Sequence, residues 1–226
     1  SFNLGCKVTA IKENGVQFVT AKGEEKFIES EMVLMSVGRR ANLAGLESLN
    51  LNVDKGAVVV DDHMKTNIDN VYAVGDINGR SQLAHSSSRM AEVAVDDMFG
   101  DGKSSMTYDA IPWAVYGMPE AAGCGLTQDN ALKDVIEVKC ATVQMRSNGR
   151  FLAENGKRAS GLVKVVVDAK DGRILGLHLI GPYSSEMIWG VAALIEAGMT
   201  VDDVKNVVFP HPSVSELIKD ACFALK

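Results

Sequence analysis

The residues best suited to chemistry lie near the carboxyl end of the 226-residue chain, in residues 209–216, which read Phe-Pro-His-Pro-Ser-Val-Ser-Glu. An imidazole changes charge near neutral pH, so it exchanges protons with a thiol. A carboxylate on the second ring nitrogen fixes the tautomer and raises the basicity of the ring. His211 and Glu216 are therefore candidate catalytic residues, and Pro212 is expected to stiffen the turn that presents the imidazole.

The same residues allow a purely structural interpretation. Ser213 and Glu216 have the spacing of a capping box, in which the two side chains satisfy backbone amides at the start of a helix. In that case Glu216 only closes a helix terminus.

A second candidate site is residues 66–76, Thr-Asn-Ile-Asp-Asn-Val-Tyr-Ala-Val-Gly-Asp. An apolar strand here ends at Gly75 and Asp76, and the carboxyl ends of strands are where ligands bind in open α/β sheets. Gly75 permits close approach of a ligand, and the Asp76 carboxylate can accept hydrogen bonds from ligand hydroxyls. The structural alternative is an aspartate that ends the strand and caps the next turn.

Four stretches together resemble the pyridine nucleotide-disulfide oxidoreductases. Residues 66–76 resemble the second flavin-binding motif of that family, and residues 209–216 resemble its His-Pro-Thr-x-Ser-Glu hallmark. Residues 32–42 resemble the end of its NAD domain, which leads into Gly-Arg-Arg. Gln82-Leu83-Ala84-His85 is similar to the Leu-Ala-His of the dihydrolipoamide dehydrogenases within the family.

This resemblance implies roles for the residues that carry it. Asp76, following Gly75, would contact the ribityl chain of FAD, and Gly38 would approach the nicotinamide cofactor. Gln82, Leu83, Ala84 and His85 would open a helix whose amino end faces the flavin, where free amides and the helix dipole stabilise negative charge. His211 would be the acid–base partner of dihydrolipoamide and of the redox disulfide, with Glu216 as its orienting residue.

Two positions depart from the family pattern. Ser213 stands where threonine is usual, which keeps the hydroxyl group. Phe209 replaces a histidine that is common two positions before the catalytic one in dihydrolipoamide dehydrogenases. Mercuric reductases and large thioredoxin reductases carry a cysteine or selenocysteine pair near the carboxyl end, and Cys222 alone does not match them.

Two hallmarks of the family are missing from the sequence. No Gly-x-Gly-x-x-Gly follows an early strand, and Gly123-Cys124-Gly125 lacks the third glycine. The redox pair Cys-x-x-x-x-Cys is also missing, so the resemblance covers about half of a typical member. We expect FAD and NAD as cofactors of the intact enzyme, and no bound cofactor, no metal and no activity for this piece alone.

The resemblance favours an enzyme that oxidises dihydrolipoamide and passes electrons through a disulfide and FAD to NAD. Its partners would be lipoyl-bearing proteins and a second copy of the chain, since in family dimers the histidine of one subunit completes the site of the other. The alternatives are glutathione reductase or soluble transhydrogenase, against which Leu83-Ala84-His85 argues, and a dimerisation module without chemistry.

The elements that must position these residues indicate an α/β and α+β fold. We expect the terminal part of an NAD-binding domain in residues 1–38, a central FAD-contacting segment in 39–106 and an α+β interface domain in 107–226. The first part should contain a hairpin turning at residues 13–15 and a strand at 32–37 that is buried on both faces, because its residues are continuously apolar.

Further elements follow from periodicity and turn signals. Short buried strands are predicted at 57–60 and 71–74, followed by a helix at 86–99 and a linker at 100–105. The last part should have strands at 111–116, 135–144, 162–168 and 173–180, and helices at 128–133, 185–197 and 214–224. Thr200 and Asp203 predict a capped helix, and Asn148-Gly149-Arg150 predicts a turn between strands.

Composition narrows the classes of partner. The net charge is −6 without any basic tract, which argues against nucleic acid and anionic membranes. No apolar stretch approaches the roughly 20 residues of a membrane span. The four cysteines, Cys6, Cys124, Cys140 and Cys222, are widely spaced, so we expect small buried apolar residues in a reducing compartment, the cytoplasm or a mitochondrial matrix.

Overall fold

A computed structural model describes all 226 residues, which divide into two units, Ser1–Arg40 and Ala41–Lys226. The first unit is a three-stranded antiparallel sheet of β1 (Lys7–Lys12), β2 (Gly15–Val19) and β3 (Glu25–Glu29), in that order. Residues 13 and 14 turn β1 into β2, with Lys12 opposite Gly15. The predicted hairpin is therefore confirmed.

The predicted buried strand at residues 32–37 is wrong. This segment has no regular structure, and all of its side chains are exposed, Leu34 to 91%. A strand buried on both faces needs a hydrogen-bonded neighbour and a covering layer, and the sheet of this unit ends at β3. The apolar run thus shows the composition of a core strand without a core around it.

The second unit begins with a small core at the centre of the chain. Two short strands, β4 (Val53–Asp54) and β5 (Ala57–Val58), pair with each other, and a 3-10 helix spans Gly75–Asn78. The helix α1 (Ala84–Phe99) packs on this 3-10 helix. The buried apolar side chains of this core are those of Val58, Val60, Met64, Ala73, Met90, Ala94 and Met106.

The two strands predicted in this region need correction, whereas the helix is confirmed. Pairing at 57–60 covers only Ala57–Val58, and residues 71–74 contribute a single antiparallel bridge between Tyr72 and Lys65. Val58, Val60 and Ala73 are buried as predicted, whereas Val59 and Val74 are exposed. Extended pairing requires a partner of equal length, which these segments lack. The helix predicted at 86–99 begins two residues earlier, at Ala84.

The rest of the second unit is a five-stranded antiparallel sheet covered by helices. Its strands lie in the order β6-β7-β10-β9-β8. The helices α4 and α6 pack against this sheet. The strands are β6 (Trp113–Val115), β7 (Ala121–Gly125), β8 (Val138–Gln144), β9 (Leu162–Asp168) and β10 (Ile174–Ile180), and the helices are α2 (Gln128–Lys133), α3 (Gly149–Asn155), α4 (Ser184–Glu196), α5 (Val201–Asn206) and α6 (Glu216–Phe223).

Alternation of side chains explains the core of this sheet. Val163, Val165 and Val167 point to one face of β9 and are almost completely buried, as a period of two requires. Leu217 and Cys222 of α6 belong to the same core. The α/β and α+β fold class is confirmed, as are four strands of the sheet, the helices at 128–133, 185–197 and 214–224, and the capping box of Thr200 and Asp203.

One strand of the sheet was not predicted, and one predicted turn is a helix instead. Strand β7 is rich in glycine and alanine, and the reason is steric, because a Cβ at Gly123 would collide with the His178 and Trp113 rings on the neighbouring strands. The turn predicted at residues 148–150 is wrong, since Asn148 caps the helix α3 and Gly149 begins it.

The expectation of four buried cysteines holds for two of them. All four thiols are free; Cys124 and Cys222 are buried, whereas Cys6 and Cys140 are only half-buried. Burial raises the pKa of the Cys124 and Cys222 thiols to about 11.

No group of three metal-ligating side chains occurs in the fold, and none of its helices has the length and apolar character to cross a bilayer.

The core of α6 yields a stability prediction. Leu217 is completely buried, so Leu217→Ala should lower the free energy of unfolding by about 2–5 kcal/mol through lost burial and a cavity. The control is Leu132→Ala on α2, a side chain that is 65% exposed, which should change stability by no more than about 0.5 kcal/mol. Urea unfolding measures both, and equal losses would contradict this packing.

Candidate functional site

The His211 and Glu216 side chains are in direct contact. The His211 Nδ1 atom lies 2.9 Å from Glu216 Oε1. A carboxylate only accepts hydrogen bonds, so the ring donates from Nδ1 and its Nε2 atom keeps a free lone pair. The His211 side chain is 82% exposed and that of Glu216 is 25% exposed. The arrangement exposes an oriented imidazole at the surface of the chain.

Glu216 also performs the structural role that its spacing suggested. Its Oε2 atom accepts the Ser213 backbone amide at 2.9 Å, and Glu216 is the first residue of α6. The reciprocal half of a capping box is missing, because the Ser213 hydroxyl pairs with the Ser215 hydroxyl instead, at 2.9 Å. One carboxylate therefore holds the loop with one oxygen and the imidazole with the other.

The electrostatics of Glu216 suit this double role. The Ser213 amide, and after it the His211 ring, hold the pKa of the Glu216 carboxyl below its ordinary value of 4.5. A lowered pKa means that folding favours the ionised form, so this stabilisation is present above pH 4.5 and is lost as the pH falls through the lowered value. At neutral pH the carboxylate is ionised and available to both donors.

The loop is anchored from two further directions. Val214 is buried in the sheet core. The Asn148 amide, which is also buried, donates from Nδ2 to the Ser213 carbonyl at 2.8 Å. No local pattern predicts this contact, because 65 residues separate its two partners. An asparagine before Gly-Arg-Phe is a good helix cap, and that signal could have located α3.

Gly75 and Asp76 lie beside the helix α1, in the 3-10 helix that replaces the predicted strand end. Gly75 has φ of 81°, and a Cβ at this position would lie 3.2 Å from the Ser87 hydroxyl. Its amide points at the Met90 sulfur at 3.3 Å. Glycine is favoured here both by the backbone conformation and by the close approach of Ser87. Asp76 remains exposed, with its carboxylate accessible to a ligand.

Residues 82–85 lie at the start of α1, as predicted. Leu83 is the residue before α1 and provides no side-chain cap, so no side chain satisfies the first-turn amides of this helix. Gln82 and Ala84 are exposed. His85 is fixed by a 2.7 Å hydrogen bond from Nε2 to the Pro112 carbonyl, which ties the first turn of α1 to the segment before β6.

The central segment has two features that suit a flavin, the exposed Asp76 carboxylate and the uncapped amino end of α1, which lie on two packed elements. Gly75 was expected to permit close approach of a ligand, but it is buried and its close approach is to Ser87 of α1. Such a donor and acceptor set suits a ligand with hydroxyl groups and a negatively charged edge. Gly38 belongs to the first unit, where it has φ of 93° and open space around it.

Comparisons with known proteins identify relatives across nearly the whole chain. The sequence profile of the pyridine nucleotide-disulphide oxidoreductases matches residues 1–91, and that of the pyridine nucleotide-disulphide oxidoreductase dimerisation domain matches residues 111–222. Dihydrolipoyl dehydrogenase of Geobacillus stearothermophilus is 37% identical over 93% of this chain and 45% of the relative. That of Bacillus subtilis is 34% identical over 88% and 43%.

Solved structures give the same fold. The flavoprotein disulfide reductase RclA of Escherichia coli, in a Cu(II) complex, superposes with a TM-score of 0.81 at 29% identity, covering 96% of this chain and 49% of RclA. LpdA of Mycobacterium tuberculosis, at 24% identity, has a TM-score of 0.81 over 98% of this chain and 47% of its own. The chain thus spans about half the length of the relatives that it matches.

The close packing at Gly75 can be tested against a matched glycine. At Gly45 φ is 86°, and an added Cβ would have no atom within 4 Å. Gly45→Ala should therefore lower the free energy of unfolding only by the cost of a non-glycine residue in the left-handed conformation, about 1–2 kcal/mol. Gly75→Ala should cost more, because its Cβ also meets Ser87. Urea unfolding compares the two variants, and equal losses would show that α1 does not pack tightly on this segment.

Proposed function

We propose, from the premise that this chain belongs to the pyridine nucleotide-disulphide oxidoreductase family, that it supplies the carboxyl-terminal half of a dihydrolipoyl dehydrogenase. The intact enzyme would convert dihydrolipoamide and NAD⁺ into lipoamide, NADH and a proton. The observation that carries the proposal is the 2.9 Å contact between His211 Nδ1 and Glu216 Oε1. The named relatives support the choice of reaction.

In this proposal His211 is the catalytic base and Glu216 its orienting partner. Oxidation of a dithiol releases two protons with two electrons, and a thiol reacts only as the thiolate. The free Nε2 lone pair of His211 would take the thiol proton, while the Glu216 carboxylate stabilises the imidazolium that forms. In the reverse direction the same ring would return the proton to the leaving sulfur.

The central segment would hold the flavin half-site. Asp76 would accept hydrogen bonds from the ribityl hydroxyls of FAD, next to Gly75, and the uncapped start of α1 at Gln82, Leu83, Ala84 and His85 would face the flavin edge. Bound FAD would supply electron transfer between the redox disulfide and the nicotinamide. Gly38 would approach NAD. The glycine-rich loop and the cysteine pair would come from polypeptide outside this chain.

The proposed partners are a second copy of the chain and lipoyl-bearing proteins. Residues 107–226 would form the dimer interface, which the match to a dimerisation domain supports. A recess of about 480 Å³ beside the His211 loop is lined by Tyr183, Trp189 and Phe209, and apolar aromatic walls are typical of interfaces. The four free thiols suit a reducing compartment, the cytoplasm or a mitochondrial matrix.

A second candidate is another flavoprotein disulfide reductase of the same family. The likeness to RclA at a TM-score of 0.81 favours keeping it, as does Phe209 at a position where dihydrolipoamide dehydrogenases usually have histidine. Phe209 is half-buried against the sheet core. The acid–base role of His211 would be the same, with a different disulfide substrate.

The proton-transfer role is tested in the intact enzyme with His211→Gln. Glutamine can keep the hydrogen bond to Glu216 but cannot accept a proton at neutral pH, so the dithiol reaction should slow by about 10²-fold or more. Flavin content and the oxidation of NADH by an artificial acceptor, which needs no thiol, should stay unchanged. Near-normal dithiol turnover would reduce His211 to a structural residue.

The dimer is tested with Trp189→Glu on α4, where the indole is 71% exposed. A charge on this exposed apolar side chain of the proposed interface should shift the chain from dimer to monomer in light scattering. Leu34→Glu, at 91% exposure in the first unit and outside residues 107–226, is the control and should leave the dimer intact. A wild-type chain that remains monomeric at high concentration would contradict the proposed interface.

A further inference from the structure

The buried Asn148 side chain connects the His211 loop by a hydrogen bond to a distant part of the chain. It is only 7% exposed. Its Oδ1 atom accepts the Phe151 amide at 2.9 Å, and its Nδ2 atom donates to the Ser213 carbonyl at 2.8 Å. The two partners fix the orientation of the amide, because an N–H needs the oxygen and a carbonyl needs the nitrogen.

These bonds hold one residue of the loop, Ser213, through the peptide groups on both of its sides. The Ser213 amide is bound by Glu216, and the Ser213 carbonyl is bound by Asn148. Glu216 in turn holds the His211 ring. A continuous chain of hydrogen bonds therefore runs from the amino end of α3 through the loop to the imidazole.

The anchor at the other end of this chain is rigid. Asn148 caps α3, whose residue Phe151 is completely buried in the sheet core. The Glu154 carboxylate of the same helix is hydrogen-bonded by Tyr183, the residue before α4. Because a capping residue has one preferred geometry, movement of the Ser213 carbonyl would require breaking either the cap or the Asn148 bond.

We propose that Asn148 is a positioning residue for the acid–base reaction of His211. It holds the Ser213 carbonyl. The position of Ser213, together with Glu216, then determines where the imidazole points. This inference rests on the proposed function, since it assigns Asn148 a role in the same proton transfer. A catalytic base displaced by as little as about 1 Å loses much of its rate advantage, which is why a remote buried amide can control it.

The test separates the two hydrogen bonds of Asn148. Asn148→Asp and Asn148→Ser both keep a good helix cap. Aspartate has no donor for the Ser213 carbonyl and also repels it, and the serine hydroxyl is one bond too short to take the place of Nδ2. The control is Asn155→Asp, the same change at the other end of α3, where Nδ2 bonds only the Phe151 carbonyl at 3.0 Å.

The first readout uses the chain itself. Hydrogen exchange of the Ser213 amide should accelerate about tenfold in Asn148→Asp and Asn148→Ser, because losing one buried hydrogen bond loosens the loop by roughly that factor. Asn155→Asp should exchange like the wild type. Unchanged exchange in both Asn148 variants would overturn the proposal, as would equal acceleration in the control.

The second readout uses the intact enzyme. The Asn148 variants should lower kcat of the dithiol reaction about tenfold with little change in KM, and leave NADH oxidation by an artificial acceptor unaltered. In a His211→Gln background the Asn148 variants should cause no further loss, since they act through His211. Multiplicative losses, or normal kcat despite fast Ser213 exchange, would refute positioning. Absence of dithiol turnover in the wild type would instead refute the proposed function, and Ser213 exchange would still decide whether Asn148 orders the loop.

Discussion

The Glu216 carboxylate, with a different donor on each oxygen, is the interaction on which the functional account depends. Sequence spacing allowed either an orienting partner for His211 or one half of a capping box. In the structure Glu216 contacts the ring and accepts the Ser213 amide, whereas the reciprocal half of the capping box is missing. The carboxylate lies at the start of α6, where the helix dipole favours its negative charge, so the acceptor that orients the His211 ring is itself held.

In the elements proposed to face the flavin, backbone groups are likewise held in place by packing. Gly75 brings the 3-10 helix against α1, so the exposed Asp76 and the uncapped first turn of α1 have a fixed relation. His85 then connects that turn to the segment entering the five-stranded sheet. In the proposed function both sites are half-sites, because neither the nucleotide-binding glycine loop nor the redox cysteine pair is in this sequence. Further polypeptide would complete them.

Elements whose stability is local or periodic could be predicted from the sequence. The hairpin at residues 13–15, the helix α1, the strands β8, β9 and β10, and the capping box of Thr200 all follow from side-chain period and turn chemistry. The errors arise where the structure of a segment depends on contacts with residues that are distant in sequence. Residues 32–37 have core composition without a partner strand, and Gly123 in β7 has no side chain because His178 and Trp113 fill the space beside it. The contact between Asn148 and Ser213 depends on the tertiary fold alone, whereas His211 and Glu216 are close enough in sequence to be found by their motif.

The most direct test of the central claim is the protonation state of the His211 ring, measured by ¹⁵N NMR in the chain itself above the pH at which the imidazole loses its charge. Donation to Glu216 requires the single remaining proton to reside on Nδ1, with an unprotonated Nε2 that is free to accept a proton from a substrate. The account predicts one pyrrole-like Nδ1 signal and one pyridine-like Nε2 signal. A ring that carries its proton on Nε2, or that exchanges between tautomers as free histidine does, would contradict it.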